Sequence, residues 1–224
     1  MKKLLLVVLC LIVTLPALAQ SKVDKRLSES TAVLNTLLSK PDGINKTLLE
    51  KAECILVYPA VRKVAVGIGG TYGRGVLVCR TGKAMNGHWG SPIMYTLDTG
   101  SLGVQLGTSS TDYVMLVMTQ RGADKILSGK LKLGADAQAA AGPSAAQANG
   151  WNDPNVDVLT YSEAKGLFAG AALGSASMAA DDDANEKLYG KSIDAMEIVR
   201  GDAAVPAPGK PLVDLLNKTA EKHM

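Results

Sequence analysis

The chain has 224 residues, of which 47% are hydrophobic and 20% charged, a balance that argues against a disordered or fibrous protein. A formal net charge of +3 is too small for a dedicated nucleic-acid binder, and two histidines with three cysteines are too few for a zinc-cluster protein. The 23 glycines, set beside one Phe, six Tyr and two Trp, imply a core of aliphatic side chains with close backbone contacts, which favours β-structure.

Lys2 and Lys3 precede an apolar run from Leu4 to Leu15, followed by Pro16 and the small-residue pattern Ala17-Leu18-Ala19. This order predicts a secretory signal peptide over residues 1–19, cleaved before Gln20, and hence a periplasmic or secreted protein. The apolar run is shorter than the roughly 20 residues that a spanning helix needs. Cys10 lies inside it and would leave with the leader, so lipid modification is not expected. Removing Lys2 and Lys3 lowers the net charge from +3 to +1.

From Ser21 to Lys40, Val23, Leu27, Leu34, Leu37 and Leu38 recur at helical spacing, and Pro41-Asp42-Gly43 ends the pattern. A second short helix fits Ile44 to Ala52, with Leu48 and Leu49 inward and Lys46, Glu50 and Lys51 outward. Strand signals follow. Cys54 to Tyr58 is an apolar run closed by Pro59, and Val64, Val66 and Ile68 alternate with Ala65, Gly67 and Gly69. Leu102, Val104 and Leu106 repeat this alternation, and Val114 to Met118 reads as a strand buried on both faces. Eleven of the glycines fall between residues 64 and 107, the density expected of strands that bend, bulge or approach another backbone. Gly122 to Leu127 permits a short helix, Ala135 to Ala141 a small-residue strand, and Gly142 to Asn155 a loop. Val156 to Tyr161 and Leu167 to Met178 are further strands. Asp181-Asp182-Asp183 reads as a solvated acidic turn before a helical turn over Asn185 to Tyr189. Residues 201–224 read as a mobile connector with Pro206, Pro208 and Pro211, then a short helix from Leu212 to Lys222. The expected class is α+β, a glycine-rich curled antiparallel sheet or partial barrel flanked by N-terminal amphipathic helices, in one domain over residues 20–200. Cys54 and Cys79 both lie in apolar runs, where a disulfide and two buried thiols fit equally.

Motifs of catalysis are weak. Gly67 to Gly73 resembles a dinucleotide fingerprint, but its third glycine is one residue late and strand rather than helix follows. Ser162-Glu163-Ala164-Lys165 matches Ser-x-x-Lys without its companion motifs, which leaves a hydrolase using Ser162 and Lys165 as the weakest reading. Asp181, Asp183 and Asn185 begin a calcium-loop spacing, but Glu186 stands where Gly is needed. His88 has no partner in the pattern. No nucleophile, base and orienter can be assembled, so no catalytic residue, metal ligand or cofactor is expected and the chain reads as a non-enzyme. The first helix does point outward, since Lys22, Lys25, Arg26 and Lys40 outnumber Asp24 and Glu29 on its polar side. Such a helix either lies on an anionic membrane or packs its Leu stripe on the sheet.

Five strings carry a resemblance: Cys54-Ile55-Leu56-Val57-Tyr58-Pro59; Gly69 to Val76 (Gly-Gly-Thr-Tyr-Gly-Arg-Gly-Val); Ser110 to Met118; Leu133-Gly134-Ala135-Asp136-Ala137; and Tyr161 to Gly170. In this order they resemble the SYLF lipid-binding domain family, over about residues 30 to 200. The resemblance implies a non-catalytic lipid-binding domain, in a family with secreted bacterial members and with eukaryotic members that have phosphoinositide- and actin-binding roles, and with an N-terminal amphipathic helix as the membrane contact in the eukaryotic relatives. That helix corresponds here to Ser21 to Lys40. A chain exported across a bacterial inner membrane meets anionic phospholipids but neither actin nor phosphoinositides, so actin is not an expected partner. The expected function is a lipid-binding module of the bacterial envelope or secreted fraction. It would contact anionic phospholipid through Lys22, Lys25, Arg26, Lys46 and Lys51. The competing expectation is an envelope structural or protein-interaction domain without lipid dependence.

Overall fold

The computed structural model describes residues 22–66, 68–101, 107–133, 135–137, 139–141, 156–165, 176–200 and 203–220. The expected leader (1–19), the alternation at Leu102 to Leu106, the loop at 142–155 and most of the strand expected from Leu167 lie outside these residues. In chain order the elements are α1 (22–38), α2 (Lys46–Lys51), β1 (Cys54–Val66), β2 (Ile68–Cys79), β3 (Ile93–Ser101) and β4 (Gly107–Val117). They continue as α3 (Gln120–Leu127), β5 (Lys130–Lys132), β6 (Ala139–Ala141), β7 (Val158–Lys165), β8 (Ser177–Ala180), α4 (Asp182–Tyr189), α5 (Ala195–Arg200) and α6 (Lys210–Thr219). The strands form one sheet in the order β5-β8-β3-β2-β1-β4-β7-β6. Every pairing is antiparallel except that of the three-residue edge strand β6 with β7. The class is α+β and the sheet a curled half-barrel, as the glycine density implies.

Alternation along the central strands puts apolar side chains on both faces. Leu56, Tyr58, Leu77, Ile93, Tyr95, Met115 and Val117 join one buried cluster with Ile126 and Leu127 of α3 and Ile198 and Val199 of α5. Ile55, Val57, Val76, Val78, Met94, Val114, Leu116 and Leu159 face the other way. They are covered by Leu27, Leu34 and Leu37 of α1, Leu48 and Leu49 of α2, Leu188 of α4 and Leu212 and Leu216 of α6. The Leu stripe of α1 is therefore part of the core.

β1 runs through Pro59 rather than stopping at it. The register shifts between Val57 and Arg62 against β2, and between Tyr58 and Val61 against β4, so Pro59 and Ala60 form a bulge that makes no demand on the missing proline N–H. Ala60 takes the left-handed conformation (φ 51°), and its N–H donates to Asp112 Oδ1 at 2.7 Å. The bulge lays Tyr58 and Val61 over Gly75 and Gly73 of β2. A Cβ at Gly75 would lie 2.4 Å from both Tyr58 Cδ1 and the Val57 carbonyl oxygen, and one at Gly73 2.8 Å from Val61 Cγ2. The nearly bare face of β2 is thus the seat of two β1 side chains.

Cys54 and Cys79 are register partners at one end of the β1–β2 pair and form a disulfide. The C-terminal segment is packed rather than peripheral: Gly209 is buried against Pro92, Ser91 Oγ donates to the Ala203 carbonyl at 2.5 Å, and α6 contributes Leu212, Val213 and Leu216 to the core. The acidic turn at Asp181 is a helix start, since its side chain caps α4 by accepting from the Ala184 N–H. The short helix α5, Ala-Met-Glu-Ile-Val-Arg, has no counterpart among the elements expected from sequence.

Candidate functional site

Burying Val23, Leu27, Leu34 and Leu37 on the sheet fixes which way the rest of α1 points. Lys22 and Lys25 face solvent, the latter in an i,i+4 pair with Glu29 at 3.6 Å. On α2, whose N-terminus is capped by Asn45 accepting from the Thr47 N–H, Leu48 and Leu49 turn inward while Lys46 and Lys51 are exposed. Lys46 reaches Glu50 at 3.7 Å. Lys40, just past α1, pairs with Glu163 of β7 and ties the end of the helix to the sheet.

Arg26 has a different place from the one expected of it. Its residue is 7% exposed and its Nη1 donates to Asp181 Oδ2 at 2.9 Å. It sits on the inner side of α1, one position from Leu27, and its carboxylate partner is also the cap of α4. Arg26 thus holds α1 to the start of α4 and is not a surface cation. Of the five expected contact residues, Lys22, Lys25, Lys46 and Lys51 lie on the solvent side of two helices that cover the same sheet face, and Arg26 lies beneath them.

Two features carry no recognisable signal in the sequence. One is an open groove of about 540 Å³ between α1 and α6, bordered by Thr31, Asn35, Pro208, Pro211, Leu215 and Lys218 among others. The other is Arg80, fully buried, whose guanidinium donates to the carbonyls of Leu49, Glu50 and Ala52 at the end of α2, to Gly87, and to Ala220 at the end of α6. The ends of helices carry unsatisfied carbonyls and partial negative charge, and a planar fork of donors suits them. Burial lowers the Arg80 pKa, opposed by the charges of Glu53 and Glu50. Arg80 is structural, in the same sense as the Arg121–Asp157 pair, in which a buried carboxylate takes a bidentate contact from Arg121 and a bond from Thr119.

The residues weighed for catalysis in the sequence are not brought together among the described residues. His88 is exposed with Thr81 Oγ1 3.4 Å from its Nδ1, and Ser162 lies within β7 opposite Tyr113. No group of three or more His, Cys, Asp or Glu among the described residues is placed to hold a metal, and no described helix is long and apolar enough to cross a membrane. The family described as "Las17-binding protein actin regulator", Ysc84, matches residues 98–219, more than half of the chain. The chain belongs to the Ysc84 family. This agrees with the SYLF resemblance, whose motifs fall in β1, β2, β4, the turn after β5 and β7. An SH3 domain-containing protein of Schizosaccharomyces pombe is 30% identical over 167 residues, covering 72% of this chain and 38% of the relative. Protein YSC84 of Saccharomyces cerevisiae is 26% identical over 207 residues (90% and 43%), and the human SH3 domain-containing YSC84-like protein 1 is 27% identical over 206 (90% and 58%). The chain therefore spans 38–58% of the length of these curated relatives, less than two thirds. No solved structure matches. The family's description is of a binding regulator and names no reaction.

Proposed function

We propose that this Ysc84-family chain is a non-catalytic lipid-binding module of the bacterial envelope or secreted fraction that docks on anionic phospholipid surfaces. The observation that supports this reading is the common orientation of α1 and α2: apolar residues into the sheet, Lys22, Lys25, Lys46 and Lys51 outward. A lysine near an anionic leaflet contributes roughly 1 kcal/mol, screened beyond a Debye length of about 8–10 Å. Four of them give a weak, salt-sensitive attachment. Because the Leu stripe of α1 is committed to the core, attachment of the folded protein is electrostatic, without insertion of that helix. A leader over residues 1–19 would deliver the module to a compartment rich in such lipids, and sequencing the exported protein should find Gln20 at its start. The variant K22E/K25E/K46E/K51E tests the contact: it should abolish sedimentation with phosphatidylglycerol vesicles while keeping the wild-type melting temperature. Retained binding would move the contact elsewhere.

A second reading has a specific support of its own. The family description and the yeast relatives named LAS seventeen-binding protein refer to a protein partner. The groove between α1 and α6 offers a place for one. On that reading the chain is a structural or interaction domain, and a partner is captured equally well with and without lipid.

A further inference from the structure

Of the six arginines in the chain, four have evident employment. Arg26 pairs with Asp181, Arg121 with Asp157 and Arg200 with Asp124, and Arg80 is ringed by carbonyls. The other two, Arg62 on β1 and Arg74 on β2, are exposed, and among the described residues neither forms an ion pair. Both stand beside Tyr72, which at 43% is the one exposed large hydrophobic side chain of the described residues. Arg62 is the register partner of Tyr72 across the β1–β2 pair. Arg74 is two residues further along β2 on the same face, its Nε–H donates to the Tyr72 hydroxyl, and its guanidinium carbon lies 5.6 Å from the ring centroid. Further along that face Val76 and Val78 are covered by helices, whereas Tyr72 and Arg74 are bare.

The acids of this face are mostly engaged. Asp112 accepts from the Ala60 N–H, Glu163 pairs with Lys40 and Asp181 with Arg26. Asp98, exposed on β3 opposite Tyr72, is the remaining one; it and Asp112, which keeps its charge while accepting from a neutral N–H, balance the charges of Arg62 and Arg74. An aromatic ring with a polar tip belongs at a membrane–water interface, and a guanidinium binds phosphate through paired N–H donors. The hydrogen bond to Tyr72 already orients Arg74, so less freedom is lost when its outer donors take a ligand. Three such side chains spread along exposed strand surface suit an extended layer of headgroups rather than the enclosure of one anion.

We propose that Arg62, Tyr72 and Arg74 form a phospholipid-headgroup contact on the β1–β2 pair, in which the two guanidinium groups take lipid phosphates and the tyrosine ring rests at the interface. This deepens the membrane-surface reading and rests on it. The test uses the full mature chain with vesicles of phosphatidylcholine alone and of phosphatidylcholine mixed with phosphatidylglycerol. Wild-type protein should sediment with the mixed vesicles, and R62Q/R74Q should bind them about tenfold or more weakly, as removal of two basic residues near an anionic surface implies. Y72S should bind several-fold more weakly, and Y72W should shift its emission to the blue on mixed vesicles but not on inorganic phosphate alone. Undiminished binding by R62Q/R74Q, or a Y72W shift produced by phosphate as fully as by vesicles, would overturn the contact while the membrane-surface reading stands. Wild-type protein indifferent to both vesicle types would overturn the two together.

Discussion

The guanidinium carbon of Arg80 lies 4.2 Å from the ring centroid of Trp89, and both side chains donate to the same acceptor, the carbonyl oxygen of Ala220, at 3.0 and 3.1 Å. Ala220 is the C-cap of α6, and the other Arg80 bonds reach the end of α2. Two helices that carry no sequence relation to each other are thus closed by one buried cation.

R80A would strand carbonyl acceptors at both helix ends and leave a cavity under Trp89. The expected cost is about 3 kcal/mol or more in chemical denaturation, against about 1–2 kcal/mol for W89F, which removes one donor and weakens the stacking. Equal and small effects of the two would contradict the shared-acceptor arrangement.

The Cys54–Cys79 disulfide closes a separation of 25 residues, for which the chain-entropy estimate is roughly 3 kcal/mol. C54A/C79A should lose about that much stability. A thiol assay on the chain from Gln20 onward should find no reactive thiol in the folded protein and two after reduction under denaturing conditions.

Arg26 and Asp181 offer a separation of structure from contact. R26Q leaves a largely buried carboxylate without its cation and should cost about 3 kcal/mol, while binding to anionic vesicles by the fraction still folded should match wild type. A variant of normal stability with lost vesicle binding would return Arg26 to the surface role.

Glycine positions on β2 differ sharply. G75A drives a Cβ into Tyr58 and the Val57 carbonyl and should cost about 1–3 kcal/mol or more. At Gly70 the added Cβ would meet only the Thr99 carbonyl oxygen, at 3.7 Å, so G70A should be close to neutral.

Alkaline stability follows from the buried tyrosines. Burial raises the pKa of Tyr58, Tyr95 and Tyr189 above the ordinary value of 10.0. Between that value and the raised one, the unfolded chain releases protons that the folded chain retains, so stability is full below pH about 10 and falls as pH rises beyond it. A titration of unfolding free energy should show this decline, and Y189F should make it shallower.

Much of this fold is local and was therefore legible in the sequence. The 3–4 spacing of Val23, Leu27, Leu34 and Leu37, the apolar run at Val114 to Met118 and the glycines of β2 each announce their element and buried side. What escaped is what depends on distant partners. The acids at Asp181 to Asp183 read as a solvated turn because Arg26, which meets the first of them, is 155 residues away. Arg80 looks like any charge at a strand end until the ends of α2 and α6 are brought to it. The two cysteines could not be paired until the β1–β2 register set them opposite each other. Pro59 reads as a stop because a bulge in a central strand has no short sequence signature beyond the proline itself. Helical phase identifies the lysines of α1 and α2, whereas phase alone misplaces Arg26, which lies at the boundary between the buried and exposed sides.

Docking on anionic lipid is decided by sedimentation of the folded chain from Gln20 onward with neutral and with phosphatidylglycerol-containing vesicles at low and high salt. The protein should bind the anionic vesicles alone, and the binding should fall as salt rises. Equal binding to both vesicle types without salt dependence, or no binding to either, would contradict it and leave the protein-interaction reading as the better description.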